Sequence, residues 1–114
     1  MLSNQEIERI AKDIVNSIGE VNSKQHSLGS CQVISTEIVR RLGEQYKFPI
    51  EIDLISPTIF RNGGYSYNSH FAVYLSKQDI VIDTQIWQYG RFENLNRRKV
   101  LFSRKEYSEK GFVF

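Results

Sequence analysis

The sequence has one cysteine, little net charge and no long apolar run, and each shortage excludes a class of protein. One cysteine cannot form an internal disulfide or a cysteine zinc cluster, so the fold does not depend on an oxidising compartment. The net charge of 114 residues is only +2, too small to indicate a nucleic-acid or membrane partner. The first ten residues are polar, so we expect a cytoplasmic protein without signal peptide or membrane-spanning helix. A protein exported by another route, or cut from a larger precursor, would look the same.

Motifs for cofactors and metals are also missing from the sequence. There is no glycine-rich phosphate loop and no pair of histidines with metal spacing, so we expect no cofactor and no metal. Basic residues at 97–99 and 104–105 have no alternating aromatic residues beside them. We interpret them as solvated charge, which argues against nucleic-acid binding.

The residues that are present predict a single domain over 1–114 with one hydrophobic core. Apolar residues recur with helical spacing from Asn4 to Ile18, where Ser3 or Asn4 can cap the helix, and again from Cys31 to Tyr46. The second helix is expected to bury Ile34, Ile38, Val39 and Leu42.

Strand patterns follow the two helices. Ile50 to Ile55 alternates, with Ile50, Ile52 and Leu54 expected to face the core, and Pro57 ends it. Two further strands are predicted, at His70–Leu75 and Ile80–Asp83, as an antiparallel pair joined by a tight connection at 77–79. Residues 61–69 form a loop or a hairpin tip, 84–90 are irregular or a short helix, and 91–98 form a polar loop. Lys99–Ser103 is strand-like, Ser103 can cap a helical turn at 104–110, and 112–114 form a last strand or a tail. The predicted fold class is α+β: two N-terminal helices packed on an antiparallel sheet of about four strands.

Cys31 is the strongest candidate for a reactive residue. At the first turn of a helix, backbone N–H groups stabilise the thiolate over the thiol. Leu28, Gly29 and Ser30 before it are small enough to let a substrate approach the sulfur, and Ser30 can cap the helix. The alternative is a buried cysteine that acts as a small apolar side chain.

His70 and Asp83 are the candidate partners of Cys31. The antiparallel pairing sets Asp83 near Phe71 and Ala72, within about one residue of His70. An imidazole there could deprotonate Cys31, and the carboxylate could orient the ring. His26 is a rival base, although a surface position suits it better. Each residue alone is also explained by an ordinary strand edge or turn.

This order of cysteine, histidine and aspartate resembles the papain-like cysteine peptidase superfamily in a minimal form. The segment from Gln25 to about Gly90 carries the resemblance, and the strands His-Phe-Ala-Val-Tyr-Leu and Ile-Val-Ile-Asp-Thr are also similar to transglutaminase-like members. In size the chain is most similar to the papain-fold toxin domains of bacterial polymorphic toxins. The resemblance implies a papain-like fold, a Cys31–His70–Asp83 triad, and an oxyanion role for Gln25, six residues before the cysteine. Trp87 would line a substrate cleft or pack in the core.

The expected function is therefore a thiol-dependent hydrolase that acts on an amide of a protein or peptide. Peptidase, glutamine deamidase and transglutaminase chemistry would use the same residues. The small size favours one specific protein target and a toxin or effector role. A toxin domain would be delivered into a target cell, and an immunity protein would bind it to protect the producer. Two other classes stay open. One is a binding module on the same fold that uses Tyr65, Tyr67 and Trp87, and the other, the weakest, is a nucleic-acid binder.

Overall fold

The computed structural model describes residues 2–18, 30–45, 50–55, 58–61, 65–66, 71–84, 86 and 99–113. Two N-terminal helices, α1 (Asn4–Ile18) and α2 (Ser30–Gln45), precede the strands, and a short helix, α3 (Arg104–Glu109), comes near the C-terminus. The strands within these ranges are β1 (Ile52–Ile55), β2 (Thr58–Arg61), β3 (Tyr65–Ser66), β4 (Ala72–Leu75), β5 (Ile80–Ile82), β6 (Leu101–Ser103) and β7 (Phe112–Val113).

Four of these strands form the antiparallel sheet β1-β4-β5-β6. This arrangement of helices and an antiparallel four-stranded sheet confirms the predicted α+β fold class. Residues 76–79 make the predicted tight connection between β4 and β5, and Leu75 lies opposite Ile80. Asp79 adopts a φ of 55° in this turn, a left-handed conformation that aspartate tolerates better than most residues.

The sheet is buried on both faces because its central strands alternate between two apolar clusters. Val73, Leu75 and Ile82 join the first cluster, together with the buried faces of α1 and α2. Ala72 and Val81 point the other way into a second cluster, which contains Phe102, Tyr107 and Phe112. Since side chains in a strand alternate from face to face, one short sequence supplies both cores.

The predicted bounds and the predicted buried face of α1 are both confirmed. Ile7, Ile10, Ala11 and Ile14 are each at most 2% exposed. The Ser3 hydroxyl accepts a hydrogen bond from the Glu6 N–H at 3.2 Å, so Ser3 caps the helix. The bounds of α2, Ser30–Gln45, are shifted by one residue from the predicted 31–46. Ile34, Ile38 and Leu42 are buried as expected, whereas Val39 is only partly buried.

Two expectations for the strands were incomplete. Leu54 was predicted to face the core but is 41% exposed, because β1 is an edge strand of the four-stranded sheet and is covered less than β4. Residues 58–61 were assigned to no strand, yet β2 pairs antiparallel with β3 and with β7, giving a second sheet of order β3-β2-β7. The pairing of Arg61 with Tyr65 agrees with the hairpin alternative, and residues 62–64 and 67–69 lie outside the described residues.

Helix α3 is short but fixed at its start by reciprocal hydrogen bonds. The Ser103 hydroxyl accepts from the Glu106 N–H at 3.0 Å, and the Glu106 carboxylate accepts from the Ser103 N–H at 3.3 Å, which makes a capping box. The Lys99 ammonium also donates to Glu106. The predicted cap at Ser103 is thus confirmed, and the helix presents Tyr107 to the second cluster.

Glu106 should make the stability of the fold depend on pH. The hydrogen bond from Lys99 is the main cause that holds the pKa of Glu106 below its ordinary value of 4.5. Because the pKa is lowered by folding, its stabilising contribution is present above the unfolded-state pKa and is lost as the pH falls through the folded-state pKa. We expect Glu106→Gln to lower the free energy of unfolding at pH 7 by roughly 0.2–1 kcal/mol, the range for exposed ion pairs.

Urea unfolding measured at neutral pH and at about pH 3 tests this expectation, since the difference between variant and wild type should shrink on acidification. Glu109→Gln is the matched control, as Glu109 is an exposed glutamate of the same helix. An effect of Glu106→Gln that is equal at both pH values would contradict the assignment.

Candidate functional site

Helix α2 contacts the sheet at the point where β4 begins. The hydroxyl of Ser35 donates a hydrogen bond to the carbonyl oxygen of Phe71 at 3.2 Å. Ser35 is only 4% exposed, and Phe71 immediately precedes the first residue of β4. This contact joins chain segments 36 residues apart and places the first half of α2 at one end of the sheet.

Cys31 is the second residue of α2, so the prediction that it lies at a helix start is confirmed for its backbone. It precedes Ser35 by four residues, and residues with that spacing lie one above the other on the same side of a helix. The backbone of Cys31 is therefore about one turn, roughly 5–6 Å along the axis, from the contact with Phe71. The first-turn position also carries the positive end of the helix dipole.

Asp83 lies at the same end of the sheet, directly after β5. Its N–H donates to the carbonyl oxygen of Val100 at 2.9 Å. Continuing the β4–β5 register by one pair sets Asp83 opposite Ala72, two residues along the chain from His70. The pairing therefore places Asp83 beside the beginning of β4, as predicted.

The Asp83 carboxylate is buried and hydrogen-bonded. The residue is 1% exposed, and its Oδ2 accepts a hydrogen bond from the hydroxyl of Tyr107 at 2.8 Å. Such a bond is needed because a buried carboxylate without donors would be strongly destabilising. Tyr107 belongs to the second cluster, whereas α2 packs on the first, so α2 and Tyr107 lie on opposite faces of the sheet.

The other predicted site residues stay predictions. Gln25, Gly29, His70 and Trp87 lie outside the described residues, as do His26 and Tyr67. Ser30 opens α2, and the structure describes its backbone. The structure therefore brings three positions together. They are Asp83, Phe71, which follows His70 in the sequence, and the turn of α2 after Cys31.

Two residues of this region were not identified from the sequence. Ser35 interrupts the apolar stripe of α2, and a polar residue on a buried helix face signals a tertiary hydrogen bond. Tyr107 is a buried tyrosine, whose hydroxyl needs a partner. Both signals were present in the sequence, but neither reveals which backbone or side-chain group is the partner.

Several charged groups near the C-terminus make contacts on the outside of the sheet. The Arg104 guanidinium lies 5.5 Å from the centre of the Tyr74 ring, and the Tyr74 hydroxyl donates to Asp79 at 2.6 Å. That hydrogen bond is the main cause that raises the pKa of Tyr74. The ammonium groups of Lys99 and Lys110 lie over the Phe102 ring, at 5.4 and 5.8 Å from its centre. These basic residues are thus engaged with aromatic faces of the protein itself.

Two kinds of feature are absent from the described residues. Within the ranges given above, no helix is both long and apolar enough to cross a membrane. The same residues contain no group of three or more histidine, cysteine, aspartate or glutamate side chains placed to hold a metal ion.

Comparison of the chain with models of protein families, with curated proteins and with solved structures gives no significant match. The candidate site is therefore interpreted from its own geometry and chemistry.

The hydrogen bond between Ser35 and Phe71 can be tested by Ser35→Ala. The change removes one buried hydrogen bond and leaves the Phe71 carbonyl to find another donor, so we expect a loss of about 1–2 kcal/mol in the free energy of unfolding. If the contact also positions the site, the rate of Cys31 alkylation should change with it. Thr36→Ala, at an exposed position of the same helix, is the control and should stay within about 0.5 kcal/mol of wild type. A Ser35→Ala protein as stable as the control would show that the contact contributes nothing.

Proposed function

We propose that this chain is a thiol-dependent hydrolase that acts on an amide of a protein or peptide, with Cys31 as nucleophile, His70 as general base and Asp83 as the residue that orients His70. The observation that carries the proposal is the hydrogen bond from Ser35 to Phe71, because it brings Phe71, the residue after His70 in the sequence, against the helix that has Cys31 in its first turn. The position of Asp83 opposite Ala72 supports the same arrangement from the neighbouring strand.

In the proposed reaction, His70 takes the proton of Cys31 and the thiolate adds to the amide carbonyl carbon. The side-chain amide of Gln25 and the Cys31 N–H stabilise the oxyanion that forms. The tetrahedral intermediate then collapses: the carbon–nitrogen bond breaks as His70 returns the proton to the leaving amine, and a thioester on Cys31 remains. Water, deprotonated by His70, attacks the thioester, and the carboxylic acid and the free thiol are released.

The amine that leaves defines the outcome. A peptide nitrogen gives a peptidase, ammonia from a glutamine side chain gives a deamidase, and replacement of water by an amine in the second step gives a transglutaminase. Small size and the resemblance to papain-fold toxin domains favour one protein target, a toxin or effector role, and an immunity protein as partner. Gly29, Ser30 and Trp87 are the proposed substrate contacts.

The burial of Asp83 favours a second candidate function. A carboxylate that is 1% exposed and hydrogen-bonded to Tyr107 is also what a purely structural network in the core would contain. In that case the protein is a binding module on the same fold, with Cys31 structural and Tyr65, Tyr67 and Trp87 on the contact surface. The two functions differ in whether Asp83 affects the chemistry of Cys31.

Alkylation of Cys31 by iodoacetamide over a range of pH distinguishes them. For the enzyme, we expect half-maximal reactivity at least one pH unit below about 8.5, the ordinary value for a thiol. His70→Ala should return the midpoint toward that value, and Asp83→Asn should move it in the same direction by a smaller amount. His26→Ala is the matched control and should leave the profile unchanged.

A wild-type midpoint near about 8.5 that ignores His70 would rule out the hydrolase and leave the binding module. With the wild type active as a thiolate, trapping a thioester on Cys31 by acid quench and mass spectrometry identifies the acyl donor. If the trapped acyl group comes from a glutamine side chain, the protein is a deamidase or a transglutaminase.

A further inference from the structure

A hydrogen bond from Tyr107 links the C-terminal helix to the candidate site. Its hydroxyl donates to Asp83 Oδ2 at 2.8 Å, across 24 residues of sequence. Both residues are almost completely buried, Tyr107 at 0% and Asp83 at 1% exposure. A hydrogen bond to a charged group in such surroundings is stronger and more directional than one at the surface.

The Tyr107 ring is itself held from two sides. It stacks on Phe112 with ring centres 4.2 Å apart and an angle of 15° between the planes. It also contacts Phe102 in a tilted arrangement at 5.9 Å. A tyrosine confined by two aromatic rings cannot move its hydroxyl far, so the position of the donor is fixed by the second cluster.

The helix that carries Tyr107 is anchored too. The capping box at Ser103 fixes the start of α3, and the N–H of Gly111 donates to the Ser108 carbonyl at 2.9 Å at its end. The residues that follow form β7, which pairs with β2. The helix that carries Tyr107 is thus hydrogen-bonded at both ends, and the strand that follows it is paired.

We propose that Tyr107 is a positioning residue for the candidate triad: its hydroxyl holds one oxygen of Asp83, so that the carboxylate keeps a single orientation toward His70. The inference rests on the proposed function. A carboxylate has two oxygens and several acceptor sites, so a bond from Tyr107 to Oδ2 is compatible with a second donor on the same group. Tyr107 would act through Asp83 and would not touch the substrate.

Loss of the Tyr107 hydroxyl would change how strongly Asp83 stabilises the positive charge on the His70 imidazole. Asp83 stabilises the imidazolium only while its carboxylate faces the ring, and the imidazolium in turn stabilises the Cys31 thiolate. Removing the Tyr107 hydroxyl lets the carboxylate rotate or seek another donor. The thiolate would then be less favoured, although no catalytic group has been changed.

The test is Tyr107→Phe, which keeps the ring and its stacking and deletes one oxygen. We expect the midpoint of Cys31 alkylation to rise by about 0.5–1 pH unit from the wild-type value, an amount that corresponds to roughly 0.7–1.4 kcal/mol of differential interaction. In the Asp83→Asn background the same change should have little further effect, because the two residues act through one contact.

Tyr74→Phe is the matched control. It deletes a tyrosine hydroxyl that also donates to a carboxylate, that of Asp79, at 2.6 Å, but in the turn after β4 and at the surface. Its alkylation profile should match the wild type.

A loss of stability alone would not support the proposal, since a structural tyrosine would also cost about 1–3 kcal/mol when its buried partner loses a hydrogen bond. If Tyr107→Phe is folded and its alkylation midpoint equals that of the wild type, Tyr107 is structural and the inference is wrong while the proposed function stands. If the wild type itself shows an ordinary thiol profile, the proposed function fails and the inference fails with it. Should Tyr107→Phe not fold, Asp83→Asn decides by the same readout: an alkylation midpoint equal to that of the wild type would show that Tyr107 cannot act through Asp83.

Discussion

Burial of β4 and β5 on both faces constrains where this protein can place polar chemistry. Their side chains alternate between the cluster under α1 and α2 and the cluster under α3, so within these strands the inward positions on both sides are apolar. A reactive polar group there would lose its hydration without gaining partners. Polar groups are therefore found where the strands stop, and Asp83, just after β5, is the clearest case.

Helices α2 and α3 both contact this end of the sheet. Helix α2 reaches it through the hydrogen bond from Ser35 to Phe71, and α3 reaches it through the hydrogen bond from Tyr107 to Asp83. One contact comes from each face of the sheet. Two helices that are far apart in sequence thus fix the backbone at the start of β4 and the carboxylate at the end of β5.

The fold was predictable from the sequence where a regular period was present. Helix α1 is found at its predicted bounds because its apolar residues recur every three to four positions, and the β4–β5 pair follows from alternation around a short turn. Strand β2 was missed because four residues between a proline and an Asn-Gly-Gly sequence are too few to show a period. Leu54 was misplaced because alternation tells which residues share a face, while the cover on that face depends on the position of the strand in the sheet.

The candidate site was predictable only in part, for a related reason. A cysteine at a helix start and an aspartate at a strand end can be recognised locally, since each depends on one element. The roles of Ser35 and Tyr107 depend on partners 36 and 24 residues away, and their identity follows from how the helices pack on the two faces. Sequence periodicity contains no information on those distances.

The central claim is that Cys31, His70 and Asp83 act as one unit, and titration of the His70 ring by nuclear magnetic resonance tests it most directly. The sequence has two histidines, so His26→Gln leaves a single imidazole signal. We expect a midpoint well above about 6.5, the ordinary value for histidine. The midpoint should fall when Cys31→Ala removes the thiolate and fall again when Asp83→Asn removes the carboxylate. A midpoint near about 6.5 that neither substitution changes would contradict this claim.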